Sequence, residues 1–180
     1  IEETSVLAAK KTLETWGLNV RIAPHCLGRH HYFSGTDEER LADFQDGLDD
    51  PSIKAILCAR GGYGCVRIVE ALNWDNFKRH PKWIIGFSDV TVFHQKIHQF
   101  GIESIHGIMP LGFTEGSVEA KETLRLALFG KSVLLETLSQ KENKLGEVRG
   151  PLVGGNMTII YSLMQTELSY SFENKILFIE

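Results

Sequence analysis

The chain has 180 residues, 43% of them hydrophobic and 23% charged, with a formal net charge of -4 at pH 7. That composition belongs to an ordinary globular protein, with length for one well-buried domain or one domain plus part of another. A pI near 6.0 and the lack of any Lys/Arg cluster argue against nucleic-acid and anionic-membrane partners, and no apolar run is long enough to span a bilayer.

In chain order, the pattern first predicts a helix from Glu2 to Trp16. Val6, Ala9, Leu13 and Trp16 recur at helical spacing, and Gly17 supplies a C-terminal cap. Leu18 to Ala23 alternates as a short strand. Thr36 and Glu39 form a capping box ahead of Leu41, Phe44 and Leu48, which share one helix face, and Pro51 ends that unit. Lys54 to Ala59 reads as a buried strand running into the turn Arg60-Gly-Gly-Tyr-Gly, followed by a helix with Val66, Val69 and Leu72 inward. A second such strand, Lys82 to Phe87, passes through Gly86-Phe-Ser-Asp into a helix from about Asp89 to Phe100. Ile102 to Gly107 then brings a third to its end.

Ser117 to Phe129 is a further helix closed by Gly130. Residues 131–150 are polar and weakly patterned. Pro151 to Asn156, a helix from Met157 to about Gln165 and a strand from Lys175 to Glu180 complete the chain. Strands separated by single amphipathic helices predict an open, mostly parallel, Rossmann-like α/β sheet with right-handed crossovers. The expected division is an α/β domain over 1–130, a linker over 131–150 and the start of an incomplete C-terminal domain over 151–180. The chain opens without an initiator Met and closes on the apolar run Ile176-Leu-Phe-Ile, so it reads as an internal piece of a longer protein.

Ligand sites of open α/β sheets form beyond the carboxyl ends of the strands. The RGGYG and GFSD turns both fall there. A serine between a strand and a helix has its Oγ pushed out of the sheet, the next backbone N–H aimed at any oxyanion formed, and a positive helix end nearby. This is the logic of a nucleophile elbow, only half matched because Val90 stands where G-x-S-x-G has its second glycine. The competing reading makes Ser88 or Asp89 a simple helix cap. Consecutive glycines at Gly61 and Gly62 let backbone approach a ligand and direct N–H groups at developing charge. Taken alone, such a turn is more often a tight loop than an oxyanion hole. Neither a dinucleotide fingerprint nor a Walker motif is present.

His94 and His98 stand four apart on the helix after Ser88, a spacing able to ligate a metal. No carboxylate pattern completes such a site, so both are expected on the helix surface. His30 and His31 fall in a polar, solvated loop. Cys26, Cys58 and Cys65 are odd in number without ligand spacing, which predicts neither a disulfide framework nor a zinc site, and Cys58 reads as a buried thiol. No metal and no cofactor are expected.

The blocks "ARGGYGCVRIVEALNWDNFKRHPKWIIGFSDVT", "HGIMP", "GPLVGGNMTIIYSL" and "ILFIE" together resemble the LD-carboxypeptidases, a family of serine peptidases, over most of the chain from about Asp37 onward. The resemblance implies that Ser88 is the nucleophile, that the N–H groups of Gly62 and Asp89 form the oxyanion hole, and that Glu180 belongs to a Ser-Glu-His triad. It implies that the triad histidine lies beyond residue 180 and that these 180 residues alone are inactive. Arg60, Gly61, His106 and Asn156 become candidate substrate contacts. Arg60 would meet a substrate carboxylate or brace its turn, His106 would take a pocket or structural role, and Asn156 would bind substrate or cap the following helix. The implied reaction releases terminal D-Ala from murein tetrapeptide, in cytoplasmic peptidoglycan recycling by a homodimer. The alternatives are an immunity-type peptidase acting on an acyl-sulfamoyl nucleotide and, from another class, a non-catalytic small-molecule binding domain.

Overall fold

A computed structural model describes residues 1–180. Three parallel strands, β1 (Ala55–Leu57), β2 (Trp83–Gly86) and β3 (Ile105–His106), form the central sheet in sequential order. Helices cover both faces, as the two-residue period of the strands dictates. Ile84 points into a cluster with Leu48, Phe77, Val90, Phe93 and Ile97. Its neighbour Ile85 points into a second cluster with Ala9, Leu13, Phe113 and Leu124. The first cluster is closed by α2 (Asp37–Asp49), α4 (Asp75–Arg79) and α5 (Thr91–Gln99), the second by α1 (Glu3–Thr15), α6 (Leu111–Glu115) and α7 (Val118–Leu128). The α/β expectation is therefore met as three layers.

Aromatic packing thickens the larger cluster. Phe44 stacks on Phe93 at 4.4 Å between centroids, and Trp74 meets Phe77 edge-on at 5.5 Å. The Trp74 indole N–H donates to the Val69 carbonyl at 3.2 Å, so the ring is buried without leaving its donor unpaired. The capping box is formed as expected: Thr36 Oγ1 accepts from Glu39 N–H at 3.2 Å, and Glu39 Oε2 accepts from Thr36 N–H at 2.8 Å.

Several expected boundaries are corrected. Leu18–Ala23 is not a strand; no strand lies alongside to take its hydrogen bonds. The segment is held instead by Leu18 and Val20 packing on the second cluster and by Lys10 Nζ donating to the Val20 carbonyl. The helix after the glycine turn is only α3 (Cys65–Ile68). Two further helices, α4 and α6, carry no periodic signal because each is a five-residue turn with a single buried side chain, Phe77 or Phe113. No helix is long and apolar enough to cross a membrane.

Residues 131–150 form no helix or strand and are exposed throughout. Beyond them β4 (Leu152–Gly155) and β5 (Ile176–Ile179) pair in parallel around α8 (Met157–Leu163). This unit docks on the N-terminal end of α5. The Asn156 N–H donates to Thr91 Oγ1 at 3.0 Å, and Leu163 and Leu168 join the larger core cluster. Gly155 has φ 133°, and a Cβ there would stand 2.5 Å from Thr91 Oγ1. Gly155→Ala is accordingly expected to destabilise the fold by about 2–3 kcal/mol through strain and forced separation of β4 from α5. Urea unfolding of the variant beside the parent measures it.

Candidate active site

After β2 the chain runs extended through Phe87 into one 3₁₀ turn, Ser88–Val90, which leads directly into α5. Ser88 has φ 59°, a left-handed conformation that costs a residue with a Cβ about 1–2 kcal/mol. It is half-buried rather than enclosed in the core. The glycine turn, residues 60–64, lies against it. A Cβ on Gly61 would stand 3.2 Å from Ser88 Cβ and 3.4 Å from the Phe87 carbonyl oxygen, so glycine is what permits the two turns to meet. Gly62 has φ 101° with open space at its α-carbon, and its N–H has no acceptor in the chain.

Two carboxylates flank the serine. Asp89, 3% exposed, accepts the Cys65 N–H on Oδ2 at 2.9 Å, while its Oδ1 is buried without a partner. Glu180, just beyond β5, accepts the backbone N–H of Ser88 on Oε2 at 3.2 Å. The same oxygen lies 3.5 Å from Nε2 of His106, at the end of β3. The His106 ring meets Phe178 edge-on at 5.0 Å, and its Nδ1 is buried without a partner. Burial lowers the His106 pKa below the usual histidine range, and the Glu180 charge acts against that shift.

The structure thus gathers Ser88, Asp89, Gly61, Gly62, His106 and Glu180, which the sequence scatters over about 120 positions. Arg60 is exposed, with its guanidinium in no ion pair. Asn156 caps α8, its Oδ1 accepting from Ile159 N–H at 3.2 Å. A cavity of about 490 Å³ lies on the Asp89 side, between α3, α5 and α8, lined in part by Tyr63, Val66, Val92, Ile159 and Leu163. Ser88 does not line it.

His94 corrects the expectation of a surface residue: it is 2% exposed. Its Nε2 bonds the Gly86 carbonyl at 2.9 Å and its Nδ1 bonds Ser104 Oγ at 2.8 Å. A carbonyl can only accept, so Nε2 carries the proton and Nδ1 accepts from the Ser104 hydroxyl. With both nitrogens used, His94 ties α5 to the last residue of β2, two positions before Ser88. The signal for its burial is present in the sequence: His94 falls on the stripe Val90, Phe93, Ile97.

A serine held on a left-handed strand-to-helix turn, facing a glycine turn and a carboxylate, gives an α/β protein with the layout of a nucleophile elbow. Comparison with known proteins fixes the family. The profile of the LD-carboxypeptidase N-terminal domain matches residues 1–107, and that of the LD-carboxypeptidase C-terminal domain matches residues 149–180. The chain belongs to the LD-carboxypeptidase family.

Its relatives include the probable murein peptide carboxypeptidase of Bacillus subtilis, 34% identical over 177 residues, a match covering 93% of this chain and 54% of that protein. The murein tetrapeptide carboxypeptidase of Pseudomonas aeruginosa is 35% identical over 174 residues, covering 91% and 57%. The chain therefore spans about half the length of the curated relatives it matches. Among solved structures, a muramoyltetrapeptide carboxypeptidase from Oxalobacter formigenes superposes with a TM-score of 0.85 at 26% identity, covering 99% of this chain and 61% of that one. An MccF-like protein from Bacillus anthracis gives 0.84 at 25% identity, covering 99% and 62%.

The buried His94 makes stability depend on pH. Desolvation by burial holds its pKa down to about 4, against 6.5 for a free imidazole. Below about pH 6.5 the unfolded chain takes up a proton that the folded chain refuses until about pH 4. Stability should fall across that window, by up to about 3 kcal/mol. His98 and His106, also lowered chiefly by burial, act in the same direction. Urea midpoints measured from pH 7 to pH 4 should show the loss, and His94→Gln, which cannot titrate, should flatten it.

Proposed function

We propose that the protein carrying this chain is a serine LD-carboxypeptidase in which Ser88 is the nucleophile. The observation that carries the reading is Ser88 itself: left-handed, half-buried, at the carboxyl end of a parallel strand and at the mouth of α5. Ser88 Oγ attacks the scissile carbonyl, and the N–H groups of Gly62 and Asp89 receive the negative charge that develops on its oxygen. Glu180 orients the histidine that moves the protons.

That histidine is not His106. A triad imidazole must bond the serine with one nitrogen and the carboxylate with the other. His106 turns Nε2 to Glu180, and its Nδ1 is buried without a partner. The base is assigned to the part of the protein outside residues 1–180, consistent with a chain spanning about half the length of its relatives. Glu180 Oε2 serves Ser88 N–H and faces His106, which leaves Oε1 for the incoming ring.

The substrate proposed is the murein tetrapeptide, losing its terminal D-Ala as in peptidoglycan recycling, in line with the names of the relatives from Pseudomonas aeruginosa and Oxalobacter formigenes. Arg60, exposed beside the glycine turn, is proposed to meet a substrate carboxylate. The likeness to the MccF-like protein supports a second reading, cleavage of an acyl-sulfamoyl nucleotide. The full-length protein assayed for D-Ala release and for nucleotide-conjugate cleavage separates the two. On the preferred substrate, Ser88→Ala should lower kcat by about 10⁴–10⁶-fold with binding retained. Residues 1–180 alone should show no turnover above the same background. A Ser88→Ala protein that kept parental turnover would remove the serine mechanism and leave a binding domain as the better account.

A further inference from the structure

One peptide unit in the glycine turn is gripped by charge at both ends. The Gly64 carbonyl accepts from Arg40 Nη1 at 3.1 Å, and the N–H of the same peptide, that of Cys65, donates to Asp89 Oδ2 at 2.9 Å. Asp89 is 3% exposed, and the Arg40 side chain is 12% exposed. Hydrogen bonds to charged groups in such surroundings are stronger than those between neutral partners.

The fit around this peptide is close. Gly64 has φ 129°, and a Cβ on it would stand 2.8 Å from Arg40 Nη1 and 3.0 Å from the Phe33 ring. Phe33 lies beneath the guanidiniums of Arg40 and Arg67, 5.2 and 5.3 Å from its centroid, and meets the Tyr63 ring at 6.1 Å. Asp37 ion-pairs with both arginines. The outer wall of the turn is thus an Asp37–Arg40–Phe33 assembly on and before α2. Its inner wall is the carboxylate of Asp89, the residue after Ser88.

We propose that Asp89 and Arg40 are positioning residues, clamping the Gly64–Cys65 peptide so that the glycine turn presents its Gly62 N–H to the oxyanion formed at Ser88. The inference rests on the serine reading above and adds to it a role for two side chains. Asp89 has two functions on this account: its N–H faces the oxyanion, while its carboxylate fixes where the other N–H stands. The Gly64 carbonyl also accepts from Arg67 N–H at 3.1 Å, and Gly61 packs against Ser88. Gly62 itself makes no hydrogen bond and has open space at its α-carbon, so rotation of the Gly64–Cys65 peptide reorients its N–H.

The test uses the full-length protein with two readouts: steady-state release of D-Ala from murein tetrapeptide, and the rate of labelling by a fluorophosphonate. The probe forms a Ser88 Oγ–P bond, expels fluoride and passes the serine proton to the base, so it reports on nucleophile and oxyanion donors whatever the natural substrate. Asp89→Ala should lower kcat and labelling rate by about 10²–10³-fold, as loss of an oxyanion donor does, with KM changed less than about threefold. Asp89→Asn keeps an oxygen acceptor for Cys65 N–H and should recover most of the loss, to within about tenfold of the parent. Arg40→Lys keeps the charge but not the guanidinium fork, and should lower kcat about tenfold in the same sense.

Thermal unfolding identifies which variants are folded. The proposal is overturned if folded Asp89→Ala or Arg40→Lys retains kcat and labelling within about threefold of the parent. It is equally overturned if Asp89→Asn is folded and loses as much as Asp89→Ala, which would mean that an oxygen acceptor for Cys65 N–H does not restore the turn. Ser88→Ala is the separate control. If it labels and turns over like the parent, the serine reading fails first; if it is dead while the Asp89 and Arg40 variants are normal, only the clamp fails.

Discussion

The hydrogen bond from Ser88 N–H to the Glu180 carboxylate joins the two ends of this structure, and the geometry of the site depends on it. Ser88 occupies a backbone conformation that disfavours any residue with a Cβ by about 1–2 kcal/mol. Its neighbours over-determine it. Upstream, the Gly86 carbonyl accepts from both His94 Nε2 and Gly107 N–H. Downstream, Val90 N–H donates to the Phe87 carbonyl and Thr91 holds β4. A charge-assisted bond to Ser88 itself, worth about 1–2 kcal/mol at a half-buried site, is of the right size to offset the strain.

Glu180 is delivered by its own backbone. Its N–H donates to the Gly155 carbonyl at 3.0 Å, and its carbonyl accepts from Met157 N–H at 3.1 Å. The end of β5 is thereby fixed between the end of β4 and the start of α8. Since the Asn156 N–H is bonded to the Thr91 hydroxyl on α5, the path from the Glu180 carboxylate to Ser88 runs through hydrogen-bonded backbone and one threonine side chain, with no loose loop. Residues separated by 92 positions meet because two parallel strand ends are docked on one helix terminus.

Much of this layout is legible in the sequence because it follows from period and punctuation. The pair Ile84 and Ile85 marks the two faces of β2, the Thr36–Glu39 box marks the start of α2, and glycine turns at strand ends mark where a site can lie. The features that stay hidden depend on partners distant in sequence. Leu18–Ala23 alternates like a strand, yet alternation cannot reveal whether a neighbour exists to accept its hydrogen bonds. The Asn156 side chain is compatible by sequence with a substrate contact or a cap, and the structure shows it capping α8. For His94 the lack of a carboxylate to complete a metal site with His98 points to the surface, whereas its place on an apolar stripe, which decides the outcome, points inward. The pairing of Arg40 with Gly64 across 24 residues has no signature in the sequence at all.

Two carboxylates so close to a proposed oxyanion pose an electrostatic problem, because negative charge there opposes the charge that must develop. Two unit charges 4 Å apart repel by about 4 kcal/mol at an effective dielectric of 20, enough to cancel an oxyanion donor. The structure deals with this by engaging one oxygen of each acid with an N–H group. Asp89 Oδ2 is bonded to Cys65 N–H, and Glu180 Oε2 to Ser88 N–H. The N–H of Gly62 is left free, and the dipole of α5 contributes positive potential at its mouth. On this account the acids act on the backbone that carries the donors, and the amides act on the substrate. The burial of Asp89 then follows from the role proposed for it, because a solvated carboxylate would hold the Cys65 peptide too weakly to fix the turn.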